Sequence, residues 1–387
     1  MVYDLVIVGA GPAGAAAALT ARRVAPDAAV AVVERATFPR DKPCGDGLSP
    51  DAVAELGRLG VPGVVDGSPP VTRLRLRSPR GREVADAPPA AGYVIPRRVL
   101  DARLAAAARA TVSSWCTATV RAVELDAGLV RLRTTEGEVA GRVVIGADGA
   151  NSQLRRLTVG TAAPRHTGVA IRGYAPAPDG PSEMLLLWER TAGLAYAWSF
   201  PIDGEHTNVG YGVFAGAAPV PRARLERRMV ALLPHGARAT DVRGHRLPLS
   251  TGGMHLGDDR VLLAGDAASL VNPITGEGIF YALLSGRLAA QAAVRAPAAP
   301  LDGYRALLRA ALGAHVRSTR WLARLAGTGA VLDHLVHAAA RSPATSHLLA
   351  DLAFGKGALT PVTMRTIAAG LWRASRLPQD RARDGRP

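Results

Sequence analysis

The first residues in this chain that could do chemistry are three glycines, Gly9-x-Gly11-x-x-Gly14, set directly after the apolar run 5–8. Between a strand and a helix this spacing serves a pyrophosphate. The first glycine makes the tight turn, the second lets the backbone approach the phosphates, and the third lets helix and strand pack closely. The unpaired N–H groups opening the helix then face the anion. A second apolar run, 29–34, ends in Glu34, 20 residues after Gly14. A carboxylate there can accept hydrogen bonds from the adenosine ribose. Ala13 and Arg35 flank these positions and are expected to touch the same ligand. Strand, glycine turn, helix, strand and terminal acid together read as a dinucleotide site rather than a bare glycine turn.

This first unit leaves NAD and FAD equally open. Two later segments bear on the choice. GRVVIGADGANSQLRR (141–156) reads as a strand ending near Asp148. Residues 259–290 read as a strand ending in Gly265-Asp266, a loop through Pro273, and a helix opening at Gly276-x-Gly278-Ile279. An aspartate at the carboxyl end of a strand can accept a ribityl hydroxyl, and helix N–H groups can meet a flavin's electron-rich edge. The three motifs in this order resemble the FAD-binding domain of the glutathione-reductase-like flavoproteins. Their branch holds aromatic hydroxylases, flavin halogenases and geranylgeranyl reductases. Arg97, in IPRRVLDARL, matches the arginine that in that branch precedes a helix and lies near the cofactor's phosphates; a solvated arginine at a helix start is the other reading.

RDKPCGDGLSP (40–50) places Cys44, one of only two cysteines, beside Gly45 in a loop rich in proline and glycine. It resembles the KPCGDGLTP loop of the geranylgeranyl reductase family. Tyr196-Ala-Trp198-Ser-Phe200-Pro201 followed by Asn208-Val-Gly210-Tyr-Gly212 resembles that family's YxWxFP…NVGxG motif, and NPITGEGIFYALLSGRLAA (272–290) its last flavin segment. The resemblance runs from residue 1 to about 290. It is similar above all to actinobacterial members, including those that hydrogenate a double bond in a menaquinone tail.

The resemblance implies FAD as cofactor and an apolar, isoprenoid substrate, reduced by hydride from the flavin. Cys44 and Gly45 would lie beside the isoalloxazine, where a thiol could donate the completing proton or simply shape the cavity. An isolated alkene has no carbonyl to take up negative charge, so protonation must lead or accompany hydride delivery. The faces of Tyr196 and Trp198 could then stabilise positive charge, or could pack across the sheet. The rival reading is an FAD-dependent monooxygenase or oxidative tailoring enzyme. A halogenase is disfavoured because its lysine is missing from the expected strand: residues 43–355 contain none, and Lys42 directly precedes the cysteine loop.

Positioning these residues requires an α/β chain: a Rossmann-like FAD-binding domain with an inserted antiparallel-sheet substrate domain and a C-terminal helical region. Alternation over TGVAIRGYA, EMLLLWER, LAYAWSFPID and HTNVGYGVFA predicts strands, with Tyr196, Trp198 and Phe200 on one face. VTRLRLRS and REVAD are shorter pieces of the same kind. The division expected is 1–67, 97–160 and 251–298 for FAD; 68–96 and 161–250 for substrate; and a helical region over 299–387, where apolar residues recur at three- and four-residue intervals over 301–327.

The chain has 387 residues, 48% hydrophobic and 20% charged, enough for two or three packed domains. Its net charge of +15 invites a nucleic-acid reading. That reading is rejected, because the arginines are spread along the chain, aromatics are only 4% and no DNA-binding motif is present. Arg-rich stretches at 73–82 and 222–228 could meet a diphosphate or could be solvated faces. With no signal-like start, no membrane-length apolar run and two isolated cysteines, a cytoplasmic home is expected, with peripheral membrane contact open. Cys116, in a strand-like stretch, is expected to be core. No metal is expected. A second GxGxxG unit is missing, so electrons must come from transient NAD(P)H, a flavin reductase or a ferredoxin-type donor.

Overall fold

The structure, a computed structural model, describes residues 1–365 apart from 87–90, 127, 162, 164–165, 191–193, 215–219 and 327–329. The end of the expected C-terminal region, 366–387, lies outside the described residues.

Along the chain come β1 (Val2–Val8), α1 (Pro12–Val24), β2 (Val30–Glu34), β3 (Gly47–Leu48), α2 (Pro50–Arg58), β4 (Pro70–Val71), β5 (Leu74–Arg77), β6 (Glu83–Asp86) and β7 (Gly92–Val94). Then follow α3 (Arg97–Arg109), β8 (Ser114–Thr117), β9 (Val120–Asp126), β10 (Leu129–Thr134), β11 (Gly137–Gly146) and α4 (Gln153–Thr158). Next are β12 (Thr167–Pro176), β13 (Met184–Arg190), β14 (Leu194–Pro201), β15 (His206–Val213), α5 (Arg222–Leu232) and β16 (Thr240–Pro248). The chain closes with β17 (Gly257–Asp258), β18 (Val261–Leu263), α6 (Ile279–Arg295), α7 (Pro300–Ala326), α8 (Ala330–Ala339) and α9 (Pro343–Phe354).

The first sheet has the order β17-β18-β11-β1-β2-β8, with β10 and β9 continuing antiparallel from β11. β1 lies parallel between β2 and β11, and its residues Leu5, Val6, Ile7 and Val8 are buried on both faces, as a covered parallel strand requires. α1 opens with Pro12, whose missing N–H would have no helical partner there. Its alanines, together with Gly286 of α6, let two helices lie almost in contact: a Cβ at Gly286 would run into the Ala13 carbonyl.

The second sheet runs β16-β12-β15-β14-β13-β5-β6. It is antiparallel except where β13 meets β5 in parallel, a join that local alternation could not reveal. One face carries Tyr196, Trp198, Phe200 and Phe214 into a core shared with α7, α8 and α9; the other is closed by α5. A small third sheet, β3-β7-β4, holds the segment after Cys44. Cys116 is half-buried on the edge strand β8, packed against the first core rather than within it.

Candidate active site

One cavity of about 760 Å³ runs between the two large sheets. At one end it is lined by Gly9, Gly11, Ala13, Glu34 and Arg35; at its middle by Cys44, Gly45, Arg97, Asp148 and Asp266; at the other by Tyr196, Trp198, Phe200 and Phe214. Gly276, Gly278 and Ile279 complete the wall. Three expected residues do not reach it. Gly14 faces the turn, where a Cβ would overlap the Gly9 carbonyl oxygen. Gly265 (φ +60°) lies within 3.2 Å of Ala13 and Ala282 as measured from an added Cβ, and Pro273 is buried in the loop before α6.

The glycine end suits a phosphate group. Gly9 adopts φ +96°, and a Cβ there would stand 2.5 Å from the Ala147 oxygen, so only glycine makes this turn. A Cβ at Gly11 would meet nothing nearer than Arg40 at 3.5 Å, so this position opens onto the cavity. No side chain caps α1 and its first turn carries no acid, leaving its N–H groups available to an anion. Glu34 is fixed beside them: one oxygen accepts the Ala10 N–H at 2.6 Å and the other the Ala36 N–H at 2.9 Å.

The two aspartates expected at strand ends differ in their partners. Asp148 accepts the Ser152 hydroxyl at 2.5 Å and the Gln153 N–H at 2.7 Å, so its carboxylate orders the start of α4. Asp266 accepts Lys42 Nζ at 2.9 Å. Burial would raise Asp266, but Lys42, His245 and Arg97 hold it below its ordinary value. His245 lines the same wall, and burial beside Lys42 pushes it down to about 4, so it is neutral at pH 7.

Around Cys44, half-buried on the cavity wall, the site is polar. Burial pushes the thiol up, while Arg97 draws it back. Arg97 is not a solvated arginine: it is 3% exposed and holds Asp101 with two bonds of 2.7 Å. Burial alone would lower its pKa, yet the charge of Asp101 and its hydrogen bonds raise it on balance, so the guanidinium stays charged beside the thiol. Asp46 is fully buried beside them and accepts Tyr174 Oη and Asn208 Nδ2, each at 2.8 Å. Burial pushes its carboxyl up to about 6. Glu277, at the start of α6, accepts the Phe280 N–H at 2.8 Å, and burial pushes it up to about 7.

The far wall is aromatic. Tyr196 stacks on Phe214 at 4.8 Å between centroids, and Trp198 lies 5.9 Å from Tyr196 and 6.5 Å from Phe200. The Tyr196 hydroxyl donates to the Thr275 carbonyl. Gly210 and Gly212 stand opposite Trp198 and Tyr196 in register, and a Cβ at either would collide with the rings of Trp198 or Phe214. The NVGYG glycines thus make room for the wall. Asp46, Tyr174, Arg172, Glu277 and His245 were not singled out from sequence. Asp46 and Glu277 lay inside quoted motifs, but only burial distinguishes them from surface acids.

A family model described as lycopene cyclase protein matches residues 4–328. Menaquinone reductase of Mycobacterium tuberculosis is 38% identical over 318 residues, covering 74% of this chain and 76% of that protein. Geranylgeranyl diphosphate reductase of Rhodobacter capsulatus is 31% identical over 310 residues, covering 76% and 75%. The chain belongs to the geranylgeranyl reductase family, within the range of that model. Members of this family are flavin-dependent oxidoreductases, and this chain is one of them. A geranylgeranyl bacteriochlorophyll reductase-like protein of Thermoplasma acidophilum shares the fold at a TM-score of 0.78 with 22% identity, covering 95% of this chain and 96% of that one. A flavin-dependent brominase shares it at 0.76 with 19% identity, covering 97% and 100%. The donor set fits a flavin nucleotide: an open glycine cradle at a bare helix N-terminus, a fixed acid beyond it, and an apolar wall at the other end.

Proposed function

We propose that this chain reduces a carbon–carbon double bond of an isoprenoid, with FAD as cofactor and Cys44 as proton donor. The observation that carries the reading is the single cavity joining the glycine cradle, Cys44 and the aromatic wall. In this reading segments 1–67, 97–160 and 251–298 hold FAD, 68–96 and 161–250 hold the substrate, and 299–387 is the C-terminal helical region, which reaches the cavity through Ala350, Asp351, Phe354 and Gly355. Reduced FAD supplies the hydride.

The protein's own part is to place the alkene, exclude water and hand over a proton. Burial keeps Cys44 as the thiol, the form that can give a proton to the alkene carbon opposite the one receiving hydride. The Arg97 guanidinium beside it favours the thiolate left behind, which lowers the cost of the transfer. Positive charge developing on the alkene meets the faces of Tyr196 and Trp198, and a desolvated cation over an aromatic ring is stabilised by about 2 kcal/mol.

An uncharged head group is favoured over a diphosphate. Arg73 and Arg75 pair with Glu183, Arg77 with Glu83 and Arg80 with Asp333, while Arg222 pairs with Glu226 and Arg228 with Glu189. Two carboxylates, Asp51 and Asp351, line the cavity near α9 and repel an anion. Electrons arrive from transient NAD(P)H, a flavin reductase or a ferredoxin-type donor. Contact with a membrane surface would deliver a long isoprenoid, which partitions into bilayers; no helix among the described residues is long and apolar enough to cross one.

The test is to load the protein with FAD, photoreduce it without oxygen, and add a menaquinone or geranylgeranyl diphosphate. Flavin reoxidation with a product two hydrogens heavier supports the reading, and Cys44→Ser should slow turnover by roughly 10²–10⁴-fold. A flavin that stays reduced with isoprenoids, but yields an oxygenated product in air, would establish the monooxygenase reading instead.

A further inference from the structure

The segment carrying Cys44 is held by a buried polar network whose centre is Asn208. Asn208 is 0% exposed and lies on β15 opposite Phe200 of β14 and Tyr174 of β12. Both amide hydrogens are used, one on the Cys44 carbonyl at 2.9 Å and one on Asp46 Oδ2 at 2.8 Å. Its oxygen accepts the Trp198 indole N–H at 2.8 Å. One amide therefore ties the cysteine loop to the aromatic wall, and no residue lacking both a donor pair and an acceptor can replace it.

Asp46 takes the other half of the load. Its backbone is left-handed at φ +61°, a conformation asparagine and aspartate tolerate better than most residues. Its carboxylate accepts Tyr174, Asn208 and the Arg97 N–H at 3.2 Å, and its carbonyl accepts the Ile95 N–H at 2.9 Å. Gly45 and Gly47 on either side leave no slack, since Cβ atoms there would lie 3.4 Å from Phe200 and 3.1 Å from Met184. Strands β12, β14 and β15 and the start of α3 all converge on three residues.

We propose that Asn208 and Asp46 are positioning residues that fix the Cys44 segment against the aromatic wall, so that the thiol meets the cavity from one place. This rests on the reading of Cys44 as proton donor, but the reactivity of the thiol tests it without turnover. The charged and titratable groups facing the pair are Lys42, Arg97, Arg172, Tyr174 and Tyr196. The Asp46 carboxylate itself raises the thiol.

The experiment is alkylation of the FAD-loaded protein with iodoacetamide from pH 6 to 10, reading the Cys44 peptide by mass so that Cys116 does not interfere. Asn208→Leu should change the Cys44 rate at a given pH tenfold or more and lower kcat while FAD is retained. Asp46→Asn drops the charge and keeps one acceptor oxygen, which can serve Tyr174 and Asn208 while the amide nitrogen takes the place of the oxygen that accepts the Arg97 N–H. With the charge gone, the midpoint of the alkylation profile should move to lower pH. Should Asn208→Leu not fold, Asn208→Ser, too short to span both partners, carries the same expectation. Native rates and midpoint in a folded Asn208 variant, or an unmoved midpoint in Asp46→Asn, would overturn the proposal. Full turnover by Cys44→Ser would instead remove the proton-donor reading and leave the positioning result standing.

Discussion

Glu277 sets two effects against each other. Its carboxylate caps the first turn of α6, where the helix dipole favours an anion, yet burial wins and pushes it from 4.5 up to about 7. Between those values the folded protein binds more protons than the unfolded chain, so this group makes stability fall as pH rises from about 4.5 to 7. Below that window it has no effect; above it the loss is complete. Asp46 acts in the same direction between 3.8 and about 6. Glu277→Gln in the cofactor-free protein should therefore be more stabilising at pH 7.5 than at pH 4.5, by on the order of 2 kcal/mol. Urea unfolding at the two pH values checks this, and an equal change at both would contradict it.

At the scale of elements, the turn that opens α6 and the strap that follows α9 are built as one piece. Asn272 Nδ2 donates to the Leu352 carbonyl at 2.9 Å, the Thr275 hydroxyl to Ala353 at 2.5 Å, and the Tyr281 hydroxyl to Gly355 at 2.7 Å. His315 of α7 reaches the Gly357 carbonyl at 2.8 Å and Tyr281 Oη at 2.8 Å. Side chains of the turn before α6, of α6 and of α7 thus satisfy backbone carbonyls that the end of α9 leaves open. Through Ala350, Asp351 and Phe354 the end of α9, and through Gly355 the start of the strap, line the cavity. Tyr281→Phe leaves the Gly355 carbonyl without its donor and should cost about 1–3 kcal/mol. Hydrogen exchange over 355–359 should speed up before the rest of the fold loosens. Unchanged stability with unchanged exchange in this segment would show that the strap is held by packing alone.

At the scale of the molecule, the cavity draws on segments far apart in the chain. Lys42 meets Asp266 across 224 positions and Asn208 meets Asp46 across 162. A ligand that fills the cavity these pairings close binds only the folded state and must stabilise the whole. If the group is FAD, a concentration 100 times its dissociation constant should add about 2.7 kcal/mol to the unfolding free energy. FMN, which has no adenosine to meet Glu34 and only one phosphate for the Gly11 cradle, should raise the melting temperature less at equal concentration. Thermal unfolding with each nucleotide decides it, and equal shifts would mean that the glycine end does not hold the adenosine.

The local features of this protein were determined by its sequence. A buried parallel strand, a glycine turn and an alternating strand each declare themselves within ten residues, because side-chain periodicity and glycine's backbone freedom are local properties. So β1, α1, β2 and the shared face of Tyr196, Trp198 and Phe200 could be read directly. The parallel join of β5 to β13 depended on tertiary structure, as did the third sheet β3-β7-β4. So did the identity of the charged groups that are buried, neutralised or paired. Arg97 looks like any arginine at a helix start until Asp101 and Cys44 close around it. Asp46 looks like any loop acid until Asn208 and Tyr174 remove it from water. Both outcomes follow from pairings over long stretches of chain, where desolvation and partner geometry set the chemistry of a side chain whose type alone leaves it open.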